Sequence, residues 1–232
     1  MSIDVKFSGF SFAAAEYLFA LANNNNKAWF EANRARYETL LLQPFRTLVG
    51  DLAGTMLTID DQIEVRPAIG KTLSRMHRDT RFSKSKEPYK TAMWLAFSRK
   101  DKNVKDLPGF FFEFTPLLYR FGIGCYMASK PTMDSYRKLL LQDEKAFLKI
   151  IRFLEKPQQP LQVCGEMYKR PLKNTGSAAL QPWYQRKEIY LMCECPLDDL
   201  VFSSKLTGYL ADSFSAAAPL YQLLLKAALE TA

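Results

Sequence analysis

Gly109-Phe110-Phe111-Phe112-Glu113-Phe114-Thr115 is the stretch on which the fold turns. Alternate side chains of a strand share a face, which puts Phe110, Phe112 and Phe114 on one side and Phe111 with Glu113 on the other. Working outward, Leu117 to Phe121 and Gly122 to Met127 continue the meander, with Pro116, Gly122 and Gly124 marking changes of direction or close backbone approach. Upstream, Thr91-Ala92-Met93-Trp94-Leu95-Ala96-Phe97 is almost continuously apolar and reads as a strand covered on both faces, with Pro88-Tyr89-Lys90 at its entrance. Ile63 to Arg66 and Leu73 to Met76 suit short strands or extended connections. Further on, Ile189 to Cys193 reads as a strand and Leu161 to Tyr168 contains an edge strand.

Helical spacing flanks this sheet. Ser11 caps a helix carrying Phe12, Ala15, Leu18, Phe19 and Ala22, which the run Asn23 to Asn26 ends. A second helix begins near Asn26 with Trp29, Phe30, Tyr37, Leu40 and Leu41, and Pro44 starts another through Leu52. After Pro131, Met133, Tyr136, Arg137, Leu139 and Leu140 fit one helix, and Phe147, Leu148, Ile151 and Leu154 a second. Leu206, Leu210 and Phe214 resume the pattern, and Pro219 is expected to start the last helix. The expected fold is α+β, a predominantly antiparallel or mixed sheet with N-terminal and C-terminal helices packed against it. No repeat or low-complexity linker divides the chain, so residues 1–232 are expected to form a single α+β domain.

The 232 residues are 48% hydrophobic, enough for a substantial core. No apolar run reaches membrane-spanning length and the N-terminus lacks a secretory pattern, so a cytoplasmic soluble protein is the expectation. Cys125, Cys164, Cys193 and Cys195 show no disulfide framework. Cys193-Glu194-Cys195 has no second ligand pair to complete a zinc site, and no metal or other cofactor is expected.

Charge is concentrated. Arg66 to Asp106 holds twelve Lys/Arg against four Asp/Glu, and the remainder balances at twenty against twenty, so this segment carries the whole net charge of +8. At its centre, Arg75 to Phe82 in extended form sends Arg75, His77, Asp79 and Arg81 one way and Met76, Arg78, Thr80 and Phe82 the other. Met76 and Phe82 mark the second face as inward. Arg78 on that face needs a partner, and Glu113 is the candidate because it interrupts an aromatic strand. On the outward face, Arg75 and Arg81 can fork to phosphate or carboxylate oxygens, with Asp79 orienting one guanidinium and Lys84, Lys86 and Lys90 adding charge. Tyr89 offers a hydroxyl or an aromatic wall, and Pro88 restrains the turn. Gly70-Lys71-Thr72 lacks the first glycine of a phosphate loop.

Asn24-Asn25-Asn26-Lys27-Ala28-Trp29-Phe30, the run Arg78 to Thr91, and Gly109 with its aromatic strand and Gly122-Ile123-Gly124 together resemble the conserved bacterial family of unknown function numbered 2461. Arg78, Asp79, Arg81, Phe82, Lys84, Lys86, Pro88, Tyr89 and Lys90 match its central signature. Met76 and His77 stand where the family has an apolar residue followed by an aromatic. The resemblance implies no reaction.

Three functional classes follow from the residues. The basic segment binds an anionic small molecule, as a binding site or as an enzyme using Asp79 as acid or base. Alternatively it contacts nucleic acid, with Phe82, Tyr89 and Trp94 for stacking, or it meets an acidic protein. The anion site, with Arg75, Arg81, Lys84, Lys86, Tyr89 and Lys90 as contacts and Arg78, Asp79, Pro88 and Glu113 in support, is the reading carried forward.

Overall fold

A computed structural model describes residues 6–79, 81, 86–101, 106–126 and 128–231. Its N-terminal part is helical: α1 (Phe12–Asn23), α2 (Lys27–Ala32), α3 (Arg34–Tyr37) and α4 (Gln43–Ile59), a π-helical turn at Glu38–Leu42 joining the last two. Five strands follow, β1 (Met93–Ser98), β2 (Gly109–Phe114), β3 (Leu118–Cys125), β4 (Gln162–Cys164) and β5 (Ile189–Pro196). They form one antiparallel sheet in the order β1-β2-β3-β5-β4. Between β3 and β4 lie α5 (Lys130–Gln142) and α6 (Glu144–Ile151), α7 (Gln181–Tyr184) precedes β5, and α8 (Lys205–Leu229) ends the chain. The fold is α+β. Among the described residues no helix is long and apolar enough to cross a membrane.

The backbone divides into two compact units, and β2, β3, β5 and α8 each contribute residues to both. In the unit holding α1 to α4 and β1, the dry face of β2 meets Phe10, whose ring stacks on Phe112 at 5.6 Å and Phe114 at 4.7 Å. In the unit holding α5 to α7, Phe110 packs on Phe214 at 5.1 Å and Tyr221 at 5.2 Å. Offset and tilted ring pairs of this kind add to what area burial alone supplies.

Three sequence expectations need correction. Only one face of β1 is buried: Met93, Leu95 and Phe97 are inaccessible while Trp94, Ala96 and Ser98 are half-buried. In α1 the core stripe is Ala14, Tyr17, Leu18 and Leu21, leaving Phe12 and Phe19 exposed, because two overlapping stripes satisfy the same helical spacing and the helices that follow pack on this one. Pro219 lies inside α8 instead of starting a helix. The helix tolerates the missing N–H because buried Phe214, Ala217, Leu220, Tyr221 and Leu224 anchor it on both sides.

All four cysteines are free thiols, and burial beside Asp106 pushes Cys125 up to about 12.

Candidate functional site

The basic segment is one arm of a hairpin that extends the sheet beyond β1. Residues 72–78 run antiparallel to 88–96: the amide of Ser74 donates to Trp94 O at 2.9 Å, that of Ala96 to Thr72 O at 2.8 Å, that of Arg78 to Pro88 O at 2.8 Å and that of Lys90 to Met76 O at 2.8 Å. Leu73 faces Leu95 and His77 faces Tyr89, so the register slips by two residues between the pairs and the 91–93 side bulges. That bulge splits the pairing into two isolated bridges.

One non-local tether holds the far side. The Asn25 carboxamide accepts from the Tyr89 amide and donates to the Tyr89 carbonyl, both at 3.0 Å, doing for this residue what a neighbouring strand would do. Asn26 caps α2 by accepting from Trp29 N at 3.0 Å, and this turn delivers Phe30 to the Tyr89 ring, stacked at 4.2 Å. The His77 ring completes the cluster, 4.8 Å from Tyr89. Burial raises the Tyr89 phenol, with Glu31 adding to it.

The alternation across residues 75–79 holds: Met76 is buried, Arg78 half-buried, and Arg75, His77 and Asp79 are exposed. Lys90 is the most constrained of the cations. Its ammonium donates to Arg75 O at 3.0 Å and sits over the Trp94 ring at 4.0 Å from the centroid. Partial burial lowers its proton affinity, and the nearby Arg78 and Arg75 lower it further. Arg75 and Arg78 therefore both act on the Lys90 ammonium. Asp79 does orient a guanidinium: it accepts from Arg81 Nε at 3.0 Å, Nη2 at 2.7 Å and the backbone amide at 3.1 Å. Those bonds, the side-chain ones first, hold the Asp79 carboxyl below the usual range, so it stays ionised at neutral pH.

Not every predicted site residue joins these cations. Glu113 is not the partner of Arg78: it accepts from Arg120 Nη1 at 3.1 Å, and Arg120 Nε reaches Glu194 at 2.6 Å. The alternation of β2 places Glu113 on the wetter face, where the adjacent strand β3 supplies the nearer cation. Arg78 instead has Glu87 at 3.8 Å, with 29% of its own side chain exposed. A loose, wet pair is worth little, so Arg78→Ala is expected to lower stability by about 1 kcal/mol at most, read from the denaturant midpoint. Tyr89 is 1% exposed and packs inward, and Pro88 contributes its carbonyl to the hairpin. Lys86 is exposed on the returning arm. Lys84, with Thr80, Phe82, Ser83 and Ser85, lies outside the described residues.

Sequence reasoning missed Asn25 as the tether and Trp94 as the floor under Lys90. The asparagine run signalled the first, since four consecutive side-chain amides exceed what one helix cap needs. Among the described residues, no cluster of His, Cys, Asp or Glu has the makings of a metal site.

With α2, the tether, the hairpin and the aromatic strand in place, the comparison with known families is decisive: the sequence profile of the conserved hypothetical proteins DUF2461 matches residues 13–223. The chain belongs to this family. The match spans the asparagine run, the basic hairpin, the sheet and most of α8, so the elements that build the site all fall within the family's shared length. No curated protein matches the sequence.

Proposed function

We propose that this protein binds a phosphate- or carboxylate-bearing ligand at the basic hairpin, with Arg75, Arg78 and Lys90 supplying the charge. The observation that carries the reading is the placing of Lys90. Its ammonium is pinned between Trp94 and the Arg75 carbonyl, close enough to Arg75 and Arg78 for their charges to disfavour its own. Among the described residues Arg75 has no carboxylate partner. A folded chain that holds like charges together lowers its energy when an anion enters between them. Arg81 and Asp79 neutralise one another beside this group, which supports a flanking role for the pair.

The ionised Asp79 carboxylate, held by Arg81 and below its usual range, supports an orienting role over an acid or base one. The same geometry weakens the case for base stacking, since Tyr89 is buried and the Trp94 ring is covered by Lys90.

The pH dependence tests the reading. Sulfate is a suitable probe because its own charge is constant across the neutral and alkaline range. Anion binding needs the protonated amine, so sulfate affinity is expected to fall as pH rises through the Lys90 pKa, at a pH below the ordinary lysine value of 10.5. Lys90→Arg, which stays charged, should retain its affinity over that interval, and Lys90→Met should bind sulfate about tenfold more weakly even at neutral pH. In the free protein the sign is opposite. The unfolded chain keeps this proton to higher pH than the folded chain does, so this group's contribution to stability grows as pH climbs from the folded towards the unfolded pKa. Equal sulfate affinity for wild type and Lys90→Met at neutral pH would contradict the assignment.

A further inference from the structure

Beyond β1, the segment 72–78 forms a new edge of the sheet, and its backbone is only partly closed. Its even-numbered residues point their amides and carbonyls towards 88–96. The odd-numbered ones point away. At Leu73 the outward groups are already used, the amide donating to Ala68 O at 3.2 Å and the carbonyl accepting from Gly70 N at 2.9 Å. This cap depends on Gly70 at φ 77, a conformation that glycine adopts without strain. Past the cap, among the described residues, the amide of Arg75 and both the amide and carbonyl of His77 have no hydrogen-bond partner, and both residues are exposed. Strand edges in this state pair with extended chains unless something prevents it.

The charge around this edge selects what pairs with it. Arg78 and Lys90 share the face of Met76, and Arg75, exposed on the opposite face, adds charge to the same short edge. Two copies of this edge would bring like charges together, which disfavours self-pairing. An incoming strand with a carboxylate at every second position sets those carboxylates against Arg78 and Lys90 while its amide groups meet Arg75 and His77. We infer that the hairpin edge at Arg75 to His77 takes an acidic extended peptide as an added strand, the peptide's carboxylates occupying the anion site. This rests on the anion reading above and names the carrier of the anion.

The experiment uses a fluorescein-labelled hexapeptide alternating Glu and Thr, titrated with the full chain and followed by anisotropy. Two further peptides are N-methylated on alternate amides, one on each set. Only one set of amides faces the protein in an added strand, so one methylated peptide should bind about tenfold more weakly or worse while the other binds like the parent. Lys90→Met should weaken the parent peptide, and a Gln-Thr peptide should bind far more weakly than the Glu-Thr one. Equal binding of both methylated peptides would overturn strand addition and leave the anion reading standing. Equal binding of the Gln-Thr peptide would overturn the acidic occupant. Absence of binding at millimolar concentration would show that the edge charges merely keep strands away, and sulfate titration would then judge the anion site separately.

Discussion

Arg137→Met is expected to destabilise the unit that holds α5 to α7 by about 2–5 kcal/mol, the cost of leaving two buried carbonyls without their donor. Arg137 is only 4% exposed. Its Nε donates to Tyr184 O at 3.0 Å, its Nη2 to Arg186 O at 2.6 Å and its Nη1 to Asp134 at 2.9 Å. The guanidinium also lies 5.3 Å from the Tyr168 ring centroid and 5.9 Å from that of Tyr184. Methionine fills much of the volume but leaves the two carbonyls without a donor, and those carbonyls flank the point where Met167 bridges Arg186. Denaturant unfolding read by far-ultraviolet dichroism checks this. A loss below about 1 kcal/mol would mean that water replaces the guanidinium, and that Arg137 does not hold α5 to this bridge.

Asn25→Ala is expected to remove about 1–3 kcal/mol, and to do so at the candidate site. The substitution leaves the Tyr89 amide and carbonyl without their partner across 64 residues of sequence. Because Lys90 follows Tyr89, loosening this point also frees the ammonium from Trp94. Asn25→Asp separates the two bonds: it retains the acceptor for the Tyr89 amide and sets a carboxylate oxygen against the Tyr89 carbonyl. Hydrogen exchange at the Tyr89 amide should rise strongly in the alanine variant and less in the aspartate variant. Unchanged exchange in the alanine variant would remove Asn25 as the tether.

Periodicity made the helices and the wet and dry faces of β2 legible, because those features are set by one element's own residues. It failed where a choice depended on a second element. The two apolar stripes of α1 satisfy helical spacing equally, and only the packing of its neighbours decides for Tyr17 over Phe19. The proline at 219 is a break in local terms and a tolerated defect once its helix is anchored on both sides. At the site, alternation placed Met76 inward and Arg75 outward and gave Asp79 a guanidinium to orient, and the structure shows that guanidinium to be Arg81's. It could not choose partners. Glu113 went to Arg120 because β3 lies beside β2, a fact of sheet order that spacing within β2 does not contain. The Asn25 tether and the bulged register of the hairpin were hidden for the same reason: each is a long-range contact to a single residue pair.

The most direct test of the anion site is a sulfate titration followed by nuclear magnetic resonance at the Trp94 indole N–H and the side-chain signals of Lys90, Arg75 and Arg78. The geometry predicts that these four shift together along one saturating curve, and that Lys90→Met flattens the curve at Trp94 while leaving the fold's dispersed spectrum intact. Saturation centred on a different group of cations, or no saturable shift at Trp94 and Lys90 in the wild-type chain, would contradict the site.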